Sequence, residues 1–573
     1  MKKTTKKLIA LALVAMLMTA PACARRDDGS GIGATEKVDK TRTQLNIANG
    51  YGGVGDAWLK EVKKQFEAIY AETSFEENKK GVQVIINNKL IGDVKTESVL
   101  AKIQDSSDAV WFGESLHYFD LANSGKIADI TDIISTPLTE FGEEESILDK
   151  LEPYMVDALK TNDNKYYALP FWEGFYNMYY DVTLWEDNLL YFRDGYTTEN
   201  MDVFAEDADL ESLFVYSLSD TKSAGPDGEY DTIDDGLPIT YSDWFAVARY
   251  MYYNCGIVPS VWSGTYTHYL IPYAVSLWAN EVGYEAMMQN FTLSGTADNL
   301  ITIDDEGNIT FLGETVINNE NGYELQRQSA KYNVLKFIYE LVHHSYMYDS
   351  LSFGSLSHTG AQDRFLASSN LSNVQTIGTL IEGSWWNNEA TSTFNNMADE
   401  YGSEWSRQNR RIGVIPPLRS SYEEKQTTLV SVQNAMCFIN KKTKGVELEL
   451  AKLFYRYLHT DTALKTFTKV TGMTRAFDYE IKGEEYDNMF YYAKSMYTMR
   501  KDAGVLYEVS KNGLISNNPL AFDMFTWSYT STVGKNVYDN PFVAFHDNSR
   551  LTAEEYFSGM YKYQKGVWGN LKK

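Results

Sequence analysis

Three segments of this 573-residue chain are rich in aromatic side chains, and in two of them these stand next to carboxylates or amides. The segments read Tyr-Ala-Leu-Pro-Phe-Trp-Glu-Gly-Phe-Tyr at 167–176, Ile-Val-Pro-Ser-Val-Trp-Ser-Gly-Thr-Tyr at 257–266 and Ile-Glu-Gly-Ser-Trp-Trp-Asn-Asn-Glu at 381–389. A flat ring packs against the C–H face of a sugar, while a neighbouring carboxylate or amide exchanges hydrogen bonds with its hydroxyl groups. This combination predicts a neutral polyol ligand, and therefore a carbohydrate.

The amino terminus has the pattern of an export signal. Four lysines precede a wholly apolar run at 8–18, and small residues follow that run up to Ala22. This order is typical of a secretory signal peptide, which we place at 1–22. The apolar run has only eleven residues, too few for a helix that spans a bilayer, and no later stretch reaches the necessary length. We therefore expect an exported protein without a transmembrane helix.

Cys23, directly after the small residues, resembles the lipobox cysteine of bacterial lipoproteins. The resemblance implies that Cys23 is lipidated and holds the protein at the outer face of the bacterial cytoplasmic membrane. Ala20 stands where that family usually has leucine. Cleavage after Ala22 without lipidation is therefore the alternative.

Composition limits the classes of protein that the chain can belong to. Residues 23–43 carry almost no aliphatic side chains and are predicted to form a flexible tether, and about 530 residues follow, enough for two or more compact units. The formal net charge of −26 drops by four, to about −30, without the signal lysines, which argues against a nucleic-acid partner. Three cysteines are too few for a disulfide framework, and Cys437 lies in an apolar run that predicts a buried free thiol.

Hydrophobic periodicity predicts a parallel α/β sheet. A strand at 44–48 leads through a glycine-rich turn to a helix capped by Asp56, and strands follow at 82–87 and 109–113. Strand, helix and strand at these spacings indicate a parallel sheet that is covered on both faces. Near the carboxyl end, a helix is predicted at 447–459.

A last helix is expected to begin at the capping box Thr552-Ala553-Glu554-Glu555.

The first glycine turn also matches a dinucleotide-binding pattern. Gly50, Gly52 and Gly55 fit G-x-G-x-x-G between a strand and a helix. The acidic residue expected at the end of the second strand is absent, because Asn87 and Asn88 stand there. The turn is therefore expected to bring backbone N–H groups close to a ligand, or only to permit a tight change of direction. We expect no cofactor.

Several segments, in their order along the chain, resemble the extracellular solute-binding proteins of bacterial ABC-type carbohydrate importers. They are Gly52-Gly53-Val54-Gly55 before Trp58, Asp108-Ala109-Val110-Trp111-Phe112-Gly113, Gly125-Lys126-Ile127-Ala128-Asp129-Ile130-Thr131-Asp132, Tyr167-Ala168-Leu169-Pro170, and Glu449-Leu450-Ala451-Lys452-Leu453-Phe454 followed by His459-Thr460-Asp461. The resemblance covers nearly the whole chain. It implies a monomer that captures a sugar or oligosaccharide and delivers it to the permease subunits of an ABC importer, or that serves in sensing.

The resemblance also implies a two-lobe periplasmic-binding-protein-like α/β fold. Each lobe would hold a mainly parallel sheet flanked by helices, and hinge segments would cross near Pro170 and Pro416-Pro417. The division implied is 44–168 plus 417–465 for lobe one, and 169–416 plus 466–573 for lobe two.

Ligand residues would then come from both lobes, since ligands of open α/β sheets bind beyond the carboxyl ends of the strands. The candidates from lobe one are Gly53, Trp111 and Glu114. The candidates from lobe two are Trp172, Glu173, Trp262, Tyr266, Glu382, Trp385, Trp386, Asn387 and Trp527. For every tryptophan the alternative is a packing role in a core or hinge.

An acidic loop at 225–236 is a separate candidate for metal binding. Its carboxylates follow the alternate spacing of oxygen-ligand loops: Asp227, Glu229, Asp231 and Asp235. Thr232 replaces the turn glycine of an EF-hand, and Pro238 replaces its final glutamate. We expect a solvated acidic turn, with a calcium site as the alternative.

Two other classes of function remain open. A secreted glycoside hydrolase needs two carboxylates, and Glu114, Glu173, Glu382 and Glu389 supply them. No H-E-x-x-H, G-x-S-x-G or cysteine-pair metal motif is present in the sequence. A surface adhesin or peptide-binding module would explain the tether and the aromatic residues, but not the lobed α/β order. A binding protein without enzymatic activity is therefore the favoured prediction.

Overall fold

The computed structural model describes residues 36–91, 96–304, 306–372, 374–423, 425–432, 435–518, 525, 527–531 and 536–571. The predicted signal peptide, the lipidation site at Cys23 and the tether up to residue 35 lie outside the described residues. Predictions about them stay predictions.

The strands alternate with helices over most of the chain. The strands are β1 Thr43–Tyr51, β2 Val82–Ile91, β3 Val110–Gly113, β4 Ala168–Pro170, β5 Tyr176–Asp181, β6 Val258–Val261, β7 Gly295–Ala297, β8 Ile301–Ile303, β9 Ile309–Phe311, β10 Thr315–Ile317, β11 Ile377–Gly383, β12 Ile412–Ile415, β13 Thr428–Ser431, β14 Met436–Ile439, β15 Gly504–Tyr507, β16 Tyr529–Thr530 and β17 Val537–Tyr538.

The described α-helices are α1 Ala57–Ile69, α2 Thr96–Asp105, α3 Tyr118–Asn123, α4 Thr131–Ser135, α5 Ile147–Lys150, α6 Pro153–Ala158, α7 Val182–Asp187, α8 Tyr241–Tyr250, α9 Leu270–Val282, α10 Tyr284–Thr292, α11 Ser329–His343, α12 His358–Ala367, α13 Trp386–Glu389, α14 Thr391–Tyr401, α15 Gly445–Tyr457, α16 Asp461–Thr471, α17 Glu484–Asp487, α18 Tyr491–Lys501, α19 Gly513–Asn517, α20 Pro541–Asp547 and α21 Ala553–Trp568.

The first sheet has five strands in the order β2-β1-β3-β14-β4. β1 runs parallel to both β2 and β3, as the crossover pattern predicts. β14 is antiparallel to β3 and to β4, because the chain returns to this sheet from the opposite direction. Cys437 lies on β14, is fully buried and forms no disulfide, which confirms the predicted free thiol.

The second sheet has four strands in the order β12-β5-β11-β6. β11 is parallel to β6, whereas β5 is antiparallel to both β11 and β12. Two mixed sheets flanked by helices confirm the predicted α/β class. The prediction of a mainly parallel sheet in each lobe is wrong for this sheet, because β5 and β11, which lie side by side at its centre, run in opposite directions.

Three short segments, the crossings, lie beside one another between the two sheets. The first, 171–175, joins β4 of the first sheet to β5 of the second; the second is Val432, after β13; and the third, 472–476, follows α16. Backbone hydrogen bonds tie them together: the Glu173 N–H donates to the Thr474 carbonyl at 3.0 Å, and the Val432 N–H donates to the Gly174 carbonyl at 3.0 Å. β13 pairs in parallel with β15 beside these crossings. The lobe boundaries given above stay a prediction.

Local sequence signals account for the helices that position the sheets. α1 presents Trp58, Leu59, Val62 and Phe66 to the core. The predicted cap Asp56 occupies the N-cap position, but its side chain makes no capping bond; its carboxylate accepts from Asn88 Nδ2 at 3.0 Å. α21 begins with the predicted capping box between Thr552 and Glu555. Among the described residues no helix is both long and apolar enough to cross a membrane.

Candidate ligand-binding site

Trp385 lies between the two sheets. A Cβ built on Gly53, in the turn after β1, would meet Trp385 Cδ1 at 2.3 Å, and one built on Gly383, at the end of β11, would meet Cη2 of the same ring at 2.3 Å. Only glycine lets the backbone approach the indole this closely on both sides. The first sheet therefore touches the second through the ring of Trp385.

Other aromatic rings surround Trp385. Trp172, in the first crossing segment, meets it edge to face with centroids 5.6 Å apart, and Tyr176, at the start of β5, does so at 5.2 Å. Tyr176 also contacts Tyr269 at 6.2 Å, and Tyr269 stacks on Tyr266 at 5.8 Å. These rings form a continuous aromatic wall along the edge of the second sheet that faces the crossings.

On the face of the second sheet opposite to Tyr176 and Trp385 lies a pair of polar side chains on adjacent strands. Asn177 on β5 is directly opposite Glu382 on β11, so the two side chains share one face of the sheet. Each residue is only 1% exposed. Both side-chain atoms of Asn177 and the Oε2 atom of Glu382 have no hydrogen-bond partner, while Glu382 Oε1 accepts from the Gly383 N–H at 3.1 Å. Unpaired buried polar atoms are costly, and such atoms suit a site that is completed by a ligand.

A second carboxylate lies near Glu382. Gln362 on α12 donates through Nε2 to Glu389 Oε2 at 2.9 Å. Burial, and then the charge of Glu389, raise the pKa of Glu382 well above its ordinary value. Burial is also the main cause that raises the pKa of Tyr176, followed by the charge of Glu382. The site is therefore acidic and strongly desolvated.

The predicted residues Gly53, Trp172 and Trp385 come together at this wall, whereas Glu382 lies on the opposite face of the second sheet. Tyr266 is half-buried at the far end of the aromatic wall. Glu114 lies at the glycine turn, where a Cβ on Gly52 would meet its carboxylate at 2.1 Å. The glycines of this turn thus permit close packing, a role that differs from both of the roles considered for them above.

Four predicted tryptophans pack in cores instead. Trp111 stacks on Phe438 within the first sheet and donates from Nε1 to the Asp108 carbonyl at 3.0 Å. Trp262 is enclosed by Tyr348 and Phe353. Trp386 is fully buried against Tyr179 and Tyr492. Trp527 is fully buried against Trp278. The protein covers these four rings as it covers the ring of Trp172, so burial alone does not decide which of them contact a ligand, and their assignment stays a prediction.

Glu173 belongs to an ion network rather than to a ligand surface. It is fully buried and accepts from Arg500 Nε and Nη2, each at 3.0 Å, and from Thr474 Oγ1 at 2.6 Å. Tyr507 Oη also donates to it, and Arg500 bonds Glu152 as well. These partners occupy its oxygens and link the first and third crossings to β15. The prediction of Glu173 as a sugar ligand is therefore corrected.

Asn387 also faces protein. Its Oδ1 accepts from Arg407 Nε at 2.7 Å, and Arg407 further bonds the carbonyls of Val470 and Thr471. Asn387 thus helps to hold the end of α16 against α13. These contacts occupy Asn387 Oδ1, while Asn387 Nδ2 has no hydrogen-bond partner, so its role as a ligand contact stays a prediction.

Sequence reasoning missed Asn177, Tyr176, Tyr269 and Gln362. Tyr176 was inside the first aromatic segment, and its neighbour Asn177 follows at once. Nothing in the local sequence distinguishes Asn177 or Gln362 from surface amides, because their importance depends on strand register and on the packing of α12. Only the paired positions of β5 and β11 bring Asn177 to Glu382.

The acidic loop uses its carboxylates to hold its own turns. Asp227 accepts from the Glu229 N–H at 2.8 Å, and Asp235 accepts from the Asp231 N–H at 2.9 Å. Asp234, which was not predicted, is buried and accepts from Thr232 Oγ1 at 2.7 Å; burial raises its pKa to about 7. No three metal-binding side chains converge anywhere in the described residues. A cavity of about 370 Å³ beside this loop, lined in part by Lys222 and Arg411, is separate from the aromatic site.

Comparison with known proteins gives matches only among solved structures, since no family model and no curated protein matches the chain. The apo form of RafE from Streptococcus pneumoniae is 13% identical, with 93% of this chain and 100% of that chain covered at a TM-score of 0.49. A chitin oligosaccharide binding protein is 14% identical, with 92% and 99% covered and a TM-score of 0.49. Maltose-bound MalE3 of T. maritima is 13% identical, with 92% and 100% covered and a TM-score of 0.49. This is a similarity of chain arrangement alone.

Proposed function

We propose that this chain is an extracytoplasmic carbohydrate-binding protein that captures a sugar or oligosaccharide between its two sheets and delivers it to an ABC importer. The observation that carries the proposal is the aromatic wall of Trp172, Tyr176 and Trp385 at the contact between the two sheets, where Trp172 Nε1 has no hydrogen-bond partner. Rings stack on the C–H faces of a sugar, and an unpaired indole N–H can donate to one of its hydroxyl groups. The similar solved structures named above include proteins described with sugars, in keeping with this proposal.

The position of the site between the two sheets supports capture by closure. Gly53 of the first sheet touches Trp385 of the second, so a ligand at this ring contacts both. The protein opens about the three crossings, and a sugar favours the closed form through its greater affinity for that form. Small-angle scattering is expected to show a smaller radius of gyration at saturating sugar than without it. An unchanged profile at proven saturation contradicts the capture mechanism.

Binding without catalysis is the second part of the proposal. Glu173, one of the four carboxylates considered for hydrolysis, is bonded by Arg500, Tyr507 and Thr474 and cannot act as an acid or a nucleophile without losing them. The purified protein is expected to return its best-binding oligosaccharide intact. Turnover that is abolished by Glu382→Gln would instead place the chain among the glycoside hydrolases.

A ligand panel tests the proposal most directly. A ligand that binds only the folded form raises the melting temperature, by an amount that grows with its concentration relative to Kd. Differential scanning with neutral mono- and oligosaccharides is therefore expected to find at least one stabilising ligand. A full panel of neutral and charged sugars without any shift refutes the assignment.

Lipid anchoring and the importer complete the proposal. The mature protein begins at a diacylated Cys23, is tethered to the outer face of the membrane, and presents its closed form to the permease as a monomer. Mass spectrometry of the amino-terminal peptide is expected to show the lipidated cysteine. An unmodified peptide that begins elsewhere removes the anchor from the proposal, while the sugar-binding function is unaffected.

A further inference from the structure

The cavity of about 370 Å³ beside the acidic loop lies at the end of the second sheet that points away from the crossings. Its wall includes Val182, directly after β5, and Arg411, directly before β12. β12 is antiparallel to β5, so these two positions lie at the same edge of the sheet. Tyr176 of the aromatic wall begins β5, about 17 Å away along the strand. The cavity is therefore separate from the aromatic wall, and its volume is within the usual range of small-molecule pockets.

Lys222 is a cation of this cavity that has no anionic partner. Its side chain is half-buried, and its Nζ atom lies 3.5 Å from the centroid of the Tyr191 ring. Within the described part of the chain it forms no ion pair and no side-chain hydrogen bond. Burial lowers the pKa of the ammonium, and the charges of Glu186 and Asp235 oppose this effect only in part. The other cation, Arg411, is already bonded to both carboxylate oxygens of Glu186. Lys222 is therefore suited to the carboxylate of a ligand.

The same cavity has a carboxylate that also lacks a partner. Among the described residues, none donates a hydrogen bond to the Asp231 side chain or forms an ion pair with it. The carboxylate of Asp220, by contrast, accepts two backbone N–H groups, and that of Asp235 accepts the Asp231 N–H at 2.9 Å. Lys222 and Asp231 line one cavity but do not pair with each other. They leave a space between two opposite charges.

The charge of the whole lining favours a zwitterion over a simple anion. The charged side chains are Lys222, Arg411, Glu186, Asp220, Asp231 and Asp235. Two cations thus stand against four carboxylates, in a chain whose formal net charge is −26. A ligand with only a carboxylate meets net repulsion, and a ligand with only an ammonium leaves Lys222 unpaired. A ligand that carries both groups avoids both penalties.

The rim of the cavity is partly apolar. Leu218 and Tyr230 line the cavity and are 51% and 54% exposed. Large apolar side chains that remain exposed beside a cavity are typical of a binding surface. The rim is therefore suited to an apolar group on the same ligand.

We propose that this cavity binds an α-amino acid with an apolar side chain. Lys222 donates to its carboxylate, Asp231 accepts from its ammonium, and Leu218 and Tyr230 contact its side chain. The inference does not depend on the proposed sugar-binding function, because the cavity shares no residue with the aromatic wall.

A panel of amino acids and their derivatives tests this inference. Differential scanning with L-alanine, L-valine, L-leucine, L-isoleucine, L-methionine, L-phenylalanine and L-tryptophan is expected to find at least one that raises the melting temperature. For each such amino acid, calorimetry then compares the methyl ester, which lacks the carboxylate charge, and the N-acetyl derivative, which lacks the ammonium. Both derivatives are expected to bind about tenfold or more weakly, because each loses a charge-assisted hydrogen bond.

Variants locate the binding at the cavity. Lys222→Met and Asp231→Asn are each expected to weaken it about tenfold, whereas Lys222→Arg, which keeps the charge, retains it. Asparagine tolerates the left-handed backbone of Asp231, whose φ is 63°, so Asp231→Asn keeps the loop conformation. Lys441→Met removes the same charge from an exposed position, and Trp385→Ala changes only the aromatic wall; both are expected to leave amino-acid binding unchanged.

Each outcome supports or overturns the proposal. A panel in which no amino acid binds overturns it. Derivatives that bind as tightly as the parent amino acid, or binding that survives both Lys222→Met and Asp231→Asn, also overturn it. Binding that Trp385→Ala removes and Lys222→Met does not would place the amino acid at the aromatic wall, against the proposal. The sugar panel decides the sugar-binding function separately.

Discussion

A single methyl group added at Gly53 is expected to hinder closure of the two sheets. The new Cβ would lie 2.3 Å from Trp385 Cδ1 and 2.7 Å from Cγ, whereas ordinary contact begins at 3.4 Å. The indole cannot retreat, because its other end lies against Gly383 and its flanks meet Trp172 and Tyr176. The turn and the ring must therefore separate by about 1 Å, which forfeits packing on both sides.

Overpacking of this kind typically costs about 1–3 kcal/mol. If the cost falls on the closed form alone, Gly53→Ala weakens sugar binding about 5-fold to 150-fold, since 1.4 kcal/mol corresponds to a factor of ten. Titration calorimetry measures the affinity, and small-angle scattering at saturating sugar measures how far the sheets close. The melting temperature without ligand is expected to change little or to rise, because the open form has room for the methyl group.

Two further variants locate the effect. Gly52→Ala places its Cβ against Glu114, which belongs to the same sheet as the turn, and so perturbs that sheet without obstructing Trp385. In a Trp385→Ala background the obstacle is gone, and Gly53→Ala is expected to add almost nothing, as a double-mutant cycle would reveal. Wild-type affinity in Gly53→Ala, or an equal loss in both backgrounds, refutes the reasoning.

Three other predictions follow from the same contacts. Trp172→Ala and Trp385→Ala should each weaken sugar binding by about 1.4 to 4 kcal/mol with the fold intact. Trp262→Phe, a control in the core, should leave the affinity unchanged. Normal binding in both alanine variants contradicts the assignment of these rings to the sugar site. Glu173→Gln should lower the free energy of unfolding by about 3–5 kcal/mol in chemical denaturation, because it removes a buried negative charge that pairs with Arg500. The control Glu480→Gln, at an exposed ion pair, should change the free energy of unfolding very little. Equal stability of the two variants contradicts the network. Burial and the nearby Arg475 hold the pKa of His459 well below its ordinary value of about 6.5. Below about pH 6.5 the unfolded chain therefore binds a proton on this residue that the folded chain does not bind. His459 thus lowers the stability of the protein as the pH falls. His459→Gln should remove up to about 1.4 kcal/mol per pH unit from that slope, and an unchanged slope relative to wild type contradicts the assignment.

The fold was largely predictable because its signals are local. The strand at β1, the glycine turn, the helix after Asp56 and the capping box at Thr552 depend on neighbours within a few residues, and each element is present. Strand direction in the second sheet was not predictable, because it depends on where the chain re-enters after each crossing. Antiparallel β5 therefore appeared only in the structure.

The site was half predictable for a related reason. An aromatic residue beside a carboxylate is typical of a sugar contact, but the same pattern occurs where the carboxylate forms a structural ion pair. Trp172 contacts Trp385 at the candidate site, whereas the next residue, Glu173, pairs with Arg500. What separates the two is the location of the partner cation, more than 300 residues away in sequence. Glu382 has no such partner in the described chain, so the same pattern of an aromatic residue near a carboxylate occurs with a paired and with an unpaired carboxylate. The pattern alone therefore does not separate a ligand residue from one that stabilises the fold, because the contacts that separate them come from residues distant in sequence.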